Sequence, residues 1–202
     1  MTQLDHLIDK FPDVKPENIY AIVCCGDNLD NPYDGFCGLA VVPVFGDNAP
    51  CYEAYFGDFS EKLMQYENVP EYAIRRDLSK ANVLSALDGK FFGQSPLFVS
   101  ANADKWAAAI LEKAAEEGFW SQPVNVICLR KLYSAHADSL SAKSAAKVAY
   151  AYAHAKNLPM KFGLHRIAER LSVTHPNLGS SVVHRAIITA KCAKKIFEED
   201  VA

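Results

Sequence analysis

Three short apolar runs crowd into the first part of the chain: IYAIVCC (19–25), FCGLAVVPVF (36–45) and CYEAYF (51–56). Turn formers separate them, GDNLDNPYDG (26–35) and GDNAP (46–50). Runs this short, rich in β-branched and aromatic residues and closely spaced, read as strands rather than helices. Their succession predicts an antiparallel three-stranded meander. Pro43 lacks a backbone N–H, so one side of the second run is expected to be an edge or a bulge.

The texture then changes. A short helix is expected at 3–10, ahead of the meander. Helices are expected at 60–68 and 78–89, the latter stopped by Gly89. PLFVS (96–100) reads as a buried strand. ADKWAAAILEKAAEEG (103–118) reads as an Ala-rich helix with Trp106, Ile110 and Ala114 on one face and Gly118 at its end. PVNVICL (123–129) reads as a further strand. Helices follow at 139–157, capped by Asp138, at 163–173, and at about 181–198. Three strands, then strands alternating with helices, then helices make one α/β domain over residues 1–202 with a mixed, five-stranded sheet.

A chain of 202 residues that is half apolar and 22% charged can bury a core without disulfides or metals, which excludes a disordered chain. No apolar run reaches the length of a membrane span. MTQLDHLIDKF is acidic and amphipathic, unlike a signal peptide. Cys24, Cys25, Cys37, Cys51, Cys128 and Cys192 form no CxxC pair. They read as reduced thiols, and the expected location is the cytoplasm. Charge is uneven: residues 1–77 carry 5 basic and 14 acidic side chains, whereas 161–195 carry 7 basic and 1 acidic. A basic C-terminal third suits an anionic partner, and equally a solvated helix surface.

Five strings in order carry a family resemblance. AIVCCGDNLDNPYDGFCGLAVV stands where a strand ending in DxE and its loop would stand. FVSANADKWAAAILEKAAEEG has the shape of an HNAxFD-like motif and its helix. NVICLRKLY matches a DTLRLAR-like segment, GLHRIAERLSV an LDALAERLGI-type helix, and HRAIITA (184–190) an HRAxxDA opening of the last helix. Over about residues 18–198 the chain resembles the DnaQ-like (DEDDh) 3′–5′ exonucleases. The resemblance implies an RNase H-like fold, with a mixed five-stranded sheet flanked by helices.

The resemblance also implies where chemistry would sit. In that family four carboxylates hold two divalent ions, and a histidine serves as general base. Carried over residue by residue, the DxE pair falls on Cys24 and Gly26, the middle Asp on Trp106, and the last Asp on Thr189. The histidine falls on His184, a relic general base. None of the four relic positions offers a carboxylate oxygen, which a hard cation such as Mg²⁺ requires. The chain is therefore expected to be a catalytically silent exonuclease-like protein that binds nucleic acid or a protein partner. No cofactor is expected on this reading.

Two other readings stand beside it. Displaced acids, Asp27 one residue past the second position and Asp104 two before the third, would make a divergent exonuclease needing Mg²⁺ or Mn²⁺, acting on single-stranded DNA or RNA. Asp27 reaches the right face only if a bulge intervenes, because side chains alternate along a strand. Alternatively, Cys24 and Cys25 with His184 and Cys192 would bind a small ligand or a soft metal such as Zn²⁺. Trp106 would stack a base or fill the core. Arg166, Arg170, Arg185 and Lys191 would form a phosphate-binding face or a solvated one. Tyr150 and His154 would share one helix face in an oligomer seam, from which Tyr152 points away.

Overall fold

The first apolar run is the centre of a sheet, and its alternate residues serve two different cores. The computed structural model describes residues 4, 10–28, 30–47, 49–101, 106–141, 163–174 and 181–198. Strands β1 (Ile19–Gly26), β2 (Phe36–Pro43) and β3 (Tyr52–Phe56) form the expected antiparallel meander. β4 (Ile74–Arg75) lies parallel to the end of β3. On the other side, β5 (Leu97–Ser100) pairs parallel with β1, and β6 (Asn125–Cys128) parallel with β5. The strand order is β4-β3-β2-β1-β5-β6.

The sheet is mixed, as expected, but has six strands rather than five. The additional strand is β4, two residues long, which is too short to show any alternation in the sequence. Pro43 is the last residue of β2 and faces Tyr20 on β1, while β3 reaches only to Val41, so its missing donor breaks no ladder on that side.

Helices cover both faces. α1 (Pro32–Gly35) is a single turn inside the segment read as loop, with the Asn31 side chain accepting from the Asp34 amide. α2 (Glu61–Glu67) is capped by Ser60 and ends at Asn68, in the left-handed region at φ 52°. α3 (Lys80–Phe91) opens with a reciprocal capping box between Ser79 and Asn82. α4 (Ala107–Glu116) starts just after Trp106, and Gly118 follows it at φ 80°. α5 (Leu129–Ser141), α6 (Leu164–Arg170) and α7 (Val182–Glu198) complete the set among the described residues.

Two boundaries differ from the expectation. α3 runs through Gly89, read as its stop, to Phe91, because an isolated glycine is tolerated inside a helix. The other boundary follows β6. The 123–129 run ends as a strand at Cys128, and Leu129 already begins α5. Asp138 is thus inside a helix rather than at its N-cap. No Gly, Pro or Asn separates the two elements, so the sequence offers no breaker to read. The expected helix at 139–157 lies largely outside the described residues, as do Tyr150, Tyr152 and His154 and most of the expected helix at 3–10.

Ile19, Ala21, Val23 and Cys25 of β1 join one core with α7, α6, Leu129 and Tyr133 of α5, and Leu63 of α2. Tyr20 and Ile22 join the other with Val83, Leu84, Leu87 and Phe91 of α3 and Ile110, Leu111 and Ala114 of α4. Burying a Leu, Ile or Phe contributes about 1.5–3 kcal/mol, so these two layers dominate the stability of the fold. No described helix is long and apolar enough to cross a membrane.

Candidate functional site

β1 and β5 are parallel neighbours whose chains leave in opposite directions. β1 runs on towards β2 on one side, and β5 towards β6 on the other. In open α/β sheets such a switch point leaves a crevice beyond the carboxyl ends of the two strands. Here it is a cleft of about 580 Å³, a volume that suits a small molecule or one to two nucleotides.

The end of β1 supplies Cys24, Cys25, Gly26 and Asp27 to this cleft, and the end of β5 supplies Ser100 and Ala101. α2 adds Lys62, Tyr66 and Glu67 along one wall. Trp106, Arg130 of α5, Leu164 of α6 and Arg185 of α7 close the remainder. The charged complement is three cations against two carboxylates. Lys62 and Arg130 make no ion pair among the described residues.

β1 ends in a bulge. Cys25 faces Gly38 but Gly26 faces Phe36, which leaves Cys37 as the extra residue on β2. Beyond the bulge Asp27 lines the cleft, and the Ser60 hydroxyl donates to its Oδ1 at 3.0 Å. That bond ties the cap of α2 to the end of β1. Gly26 is held by close approach. A Cβ there would lie 2.0 Å from the Gly35 carbonyl oxygen and 3.0 Å from Cζ3 of Trp106. No side chain, acidic or otherwise, fits at position 26 without moving backbone.

The deepest charged feature was not legible in the sequence. Glu67, the last residue of α2, is 1% exposed, and Arg185 Nη2 donates to its Oε1 at 2.8 Å. Among the described residues no well-formed hydrogen bond reaches Glu67 Oε2 or Arg185 Nε. Burial pushes the Glu67 carboxyl above its ordinary range, against the pull of Arg185 and the Val182 amide at the start of α7. The carboxylate of one helix thus sits at the positive end of another. Arg185 also acts on the end of β1: burial pushes the Cys24 thiol up to about 12, and the guanidinium offsets part of that rise. Cys25 is pushed up too, first by its hydrogen bond with Cys37 and then by burial. Burial thus disfavours the thiolate form of both.

The structure brings Cys24, Gly26 and Trp106 together in the cleft, with Asp27 and Arg185. It places Thr189 elsewhere, fully buried, its hydroxyl without a partner among the described residues. His184 is exposed on the first turn of α7 and does not line the cleft. The Ser181 hydroxyl accepts from the His184 amide at 3.2 Å and lies 3.0 Å from Nδ1. Ser181 thereby caps α7. Arg166 and Arg170 are exposed on α6 and Lys191 is half-buried on α7, all outside the cleft lining. Asp104 lies outside the described residues. Cys192 is buried in α7, and among the described residues no three His, Cys, Asp or Glu side chains converge on a point that could hold a metal. Trp106 both packs against the second core and forms cleft wall.

No family model matches the chain, and no curated protein gives a significant match.

Proposed function

We propose that this chain is a non-hydrolytic DnaQ-like protein of RNase H-like fold whose cleft holds the end of a single-stranded nucleic acid. The observation that carries the reading is the buried Glu67–Arg185 pair. Two-metal hydrolysis needs several uncompensated carboxylates facing one point. In this cleft the one buried carboxylate is already matched by a resident guanidinium, and position 26 has no room for another. What the cleft does offer is aromatic surface at Trp106 and Tyr66, the latter 60% exposed, beside the cations of Lys62 and Arg130. Stacking platforms next to cations are the chemistry by which single strands are held without base-specific contacts.

The test is fluorescence anisotropy of labelled single-stranded DNA and RNA across a salt series, with hydrolysis followed in Mg²⁺ and Mn²⁺. Binding should weaken steeply with salt. Lys62→Ala or Arg130→Ala should each reduce the log–log salt slope by about 0.7, the value for one phosphate contact on a single strand. The strand should stay intact. Absence of binding by the folded protein removes the reading.

A second reading has one observation in its favour. The bulge after Cys25 carries Asp27 into the same cleft as Glu67, which is what a divergent metal-dependent exonuclease with displaced acids would need. Metal-dependent loss of nucleotides that disappears in Asp27→Asn would install it in place of the first.

A further inference from the structure

Resting on the reading of the cleft as a nucleic-acid site, we infer that Arg185 makes its floor a receptor for a terminal phosphate monoester, so that phosphate-ended strands are preferred to hydroxyl-ended ones. Arg185 lies at the deep end of the cleft. Its charge reaches Cys24 and Cys25 at the end of β1, and its partner Glu67 is 1% exposed. The Arg185 side chain itself keeps 24% of its surface accessible. One N–H is spent on Glu67, through Nη2, and Nε is buried, so the donors left are those of the terminal amino groups. Glu67 therefore acts as a positioning residue: it anchors the guanidinium and leaves donors for a ligand.

Charge decides which end of a ligand goes deepest. A strand's internal phosphates carry one negative charge each, whereas a terminal monoester carries about −1.5 to −2 at neutral pH and three acceptor oxygens. The planar fork of a guanidinium can bind two of those oxygens at once, which a hydroxyl does not offer. With Lys62 and Arg130 also lining the cleft, cations outnumber carboxylates by one, so the cleft favours an anion, and its deepest donor is Arg185. The same chemistry is offered by a strand end and by a free nucleoside monophosphate, and the cleft volume admits either.

The experiment compares four oligonucleotides of one sequence, with and without a 3′-phosphate and with and without a 5′-phosphate, alongside nucleoside monophosphates and inorganic phosphate. Wild type should bind one phosphorylated end about tenfold more tightly than its hydroxyl counterpart, the size of one charge-assisted contact. Arg185→Ala leaves Glu67 buried and unpaired, so the deciding variant is Glu67→Gln with Arg185→Gln, which removes both charges together. In that double variant the ratio should fall to one, while Lys62→Ala and Arg130→Ala weaken all strands and keep it. Equal binding of all ends by wild type overturns the inference and leaves the strand reading standing. Binding of monophosphates without strands, lost in the double variant, supports the inference and removes the strand reading. Binding of neither overturns both.

Discussion

Arg185 and Thr189 are one helical turn apart on α7, yet they meet two different environments. Arg185 reaches the cleft floor, where Glu67 compensates its charge and part of its side chain stays in contact with water. Thr189 enters the buried layer between α7 and the sheet, where its hydroxyl has no partner among the described residues. The difference teaches where polar function can survive in this fold. At the switch point, loops and helix ends leave room for a charge to find a counter-charge. Beneath the centre of β1 and β2, close packing leaves only shape, and a polar atom there is a cost. An acid at position 189 would face that second environment.

The sharpest way to break the contrast is to remove the compensation. Arg185→Ala leaves Glu67 buried and alone, which costs about 3–5 kcal/mol when one partner of a buried pair is deleted. For a domain of this length that is roughly 6–20 °C in Tm. The loss should depend on pH. The Glu67 carboxyl is already raised in the folded state, and without Arg185 it rises further. A raised folded pKa means that the protonated form favours folding: its contribution is present below the unfolded value near 4.5 and is lost as pH rises through the folded value. Thermal melts at pH 7.5 and pH 5 should therefore show a smaller gap between variant and wild type at pH 5. A gap that is equal or wider at pH 5 would mean that Glu67 is not the group left stranded. Glu67→Gln should cost only about 1 kcal/mol, because Gln still accepts from Arg185 and the guanidinium can turn to water.

A comparable loss, from pure geometry, is expected at Gly26. Gly26→Ala puts a carbon 2.0 Å from the Gly35 carbonyl oxygen, which is backbone and cannot rotate away. We expect a loss of about 2–3 kcal/mol, towards the upper end for overpacking, read as a lowered denaturation midpoint with an unchanged slope. Gly57→Ala is the control from open space: nothing lies within 4 Å of its Cβ, so only the cost of φ 64° should appear, about 1 kcal/mol. Equal losses at the two positions would show that the junction of β1 with the α1 turn is not tightly packed.

The same contrast explains what the sequence made legible. The meander, β5 and the helices α3, α4 and α7 were readable because each is built from local signals, apolar runs and the Gly118 terminator among them, although Gly89 did not stop α3. What stayed hidden depends on pairing across distance. β4 exists only because two residues happen to lie beside β3. The bulge is a mismatch between two strands, invisible in either alone. Arg185 was readable as a cation on a basic helix, but its partner is 118 residues away at the end of an unremarkable short helix. Lys62 and Tyr66 share a face at i, i+4 spacing, yet nothing local says that this face borders the cleft. His184 and Thr189 were located by motif register, and the packing sends one to the surface and the other into the core.

The smallest effect is the one that tests the buried half of the comparison. Thr189→Val keeps the branched shape and removes a hydroxyl that has no hydrogen-bond partner among the described residues. Burying such a hydroxyl costs about 1–3 kcal/mol from protein mutational data, and a methyl in its place adds contacts instead. The variant should therefore be more stable than wild type by about 1 kcal/mol, roughly 2–4 °C in Tm. Thr189→Ser, which keeps the hydroxyl and deletes the methyl, should be destabilised by about 1 kcal/mol through the lost apolar contact. If Val destabilises and Ser does not, the hydroxyl has a partner under the sheet, and position 189 belongs with Arg185 as a polar site. If the order is as expected, α7 divides between these two positions: its first turn faces chemistry, and the next faces only packing.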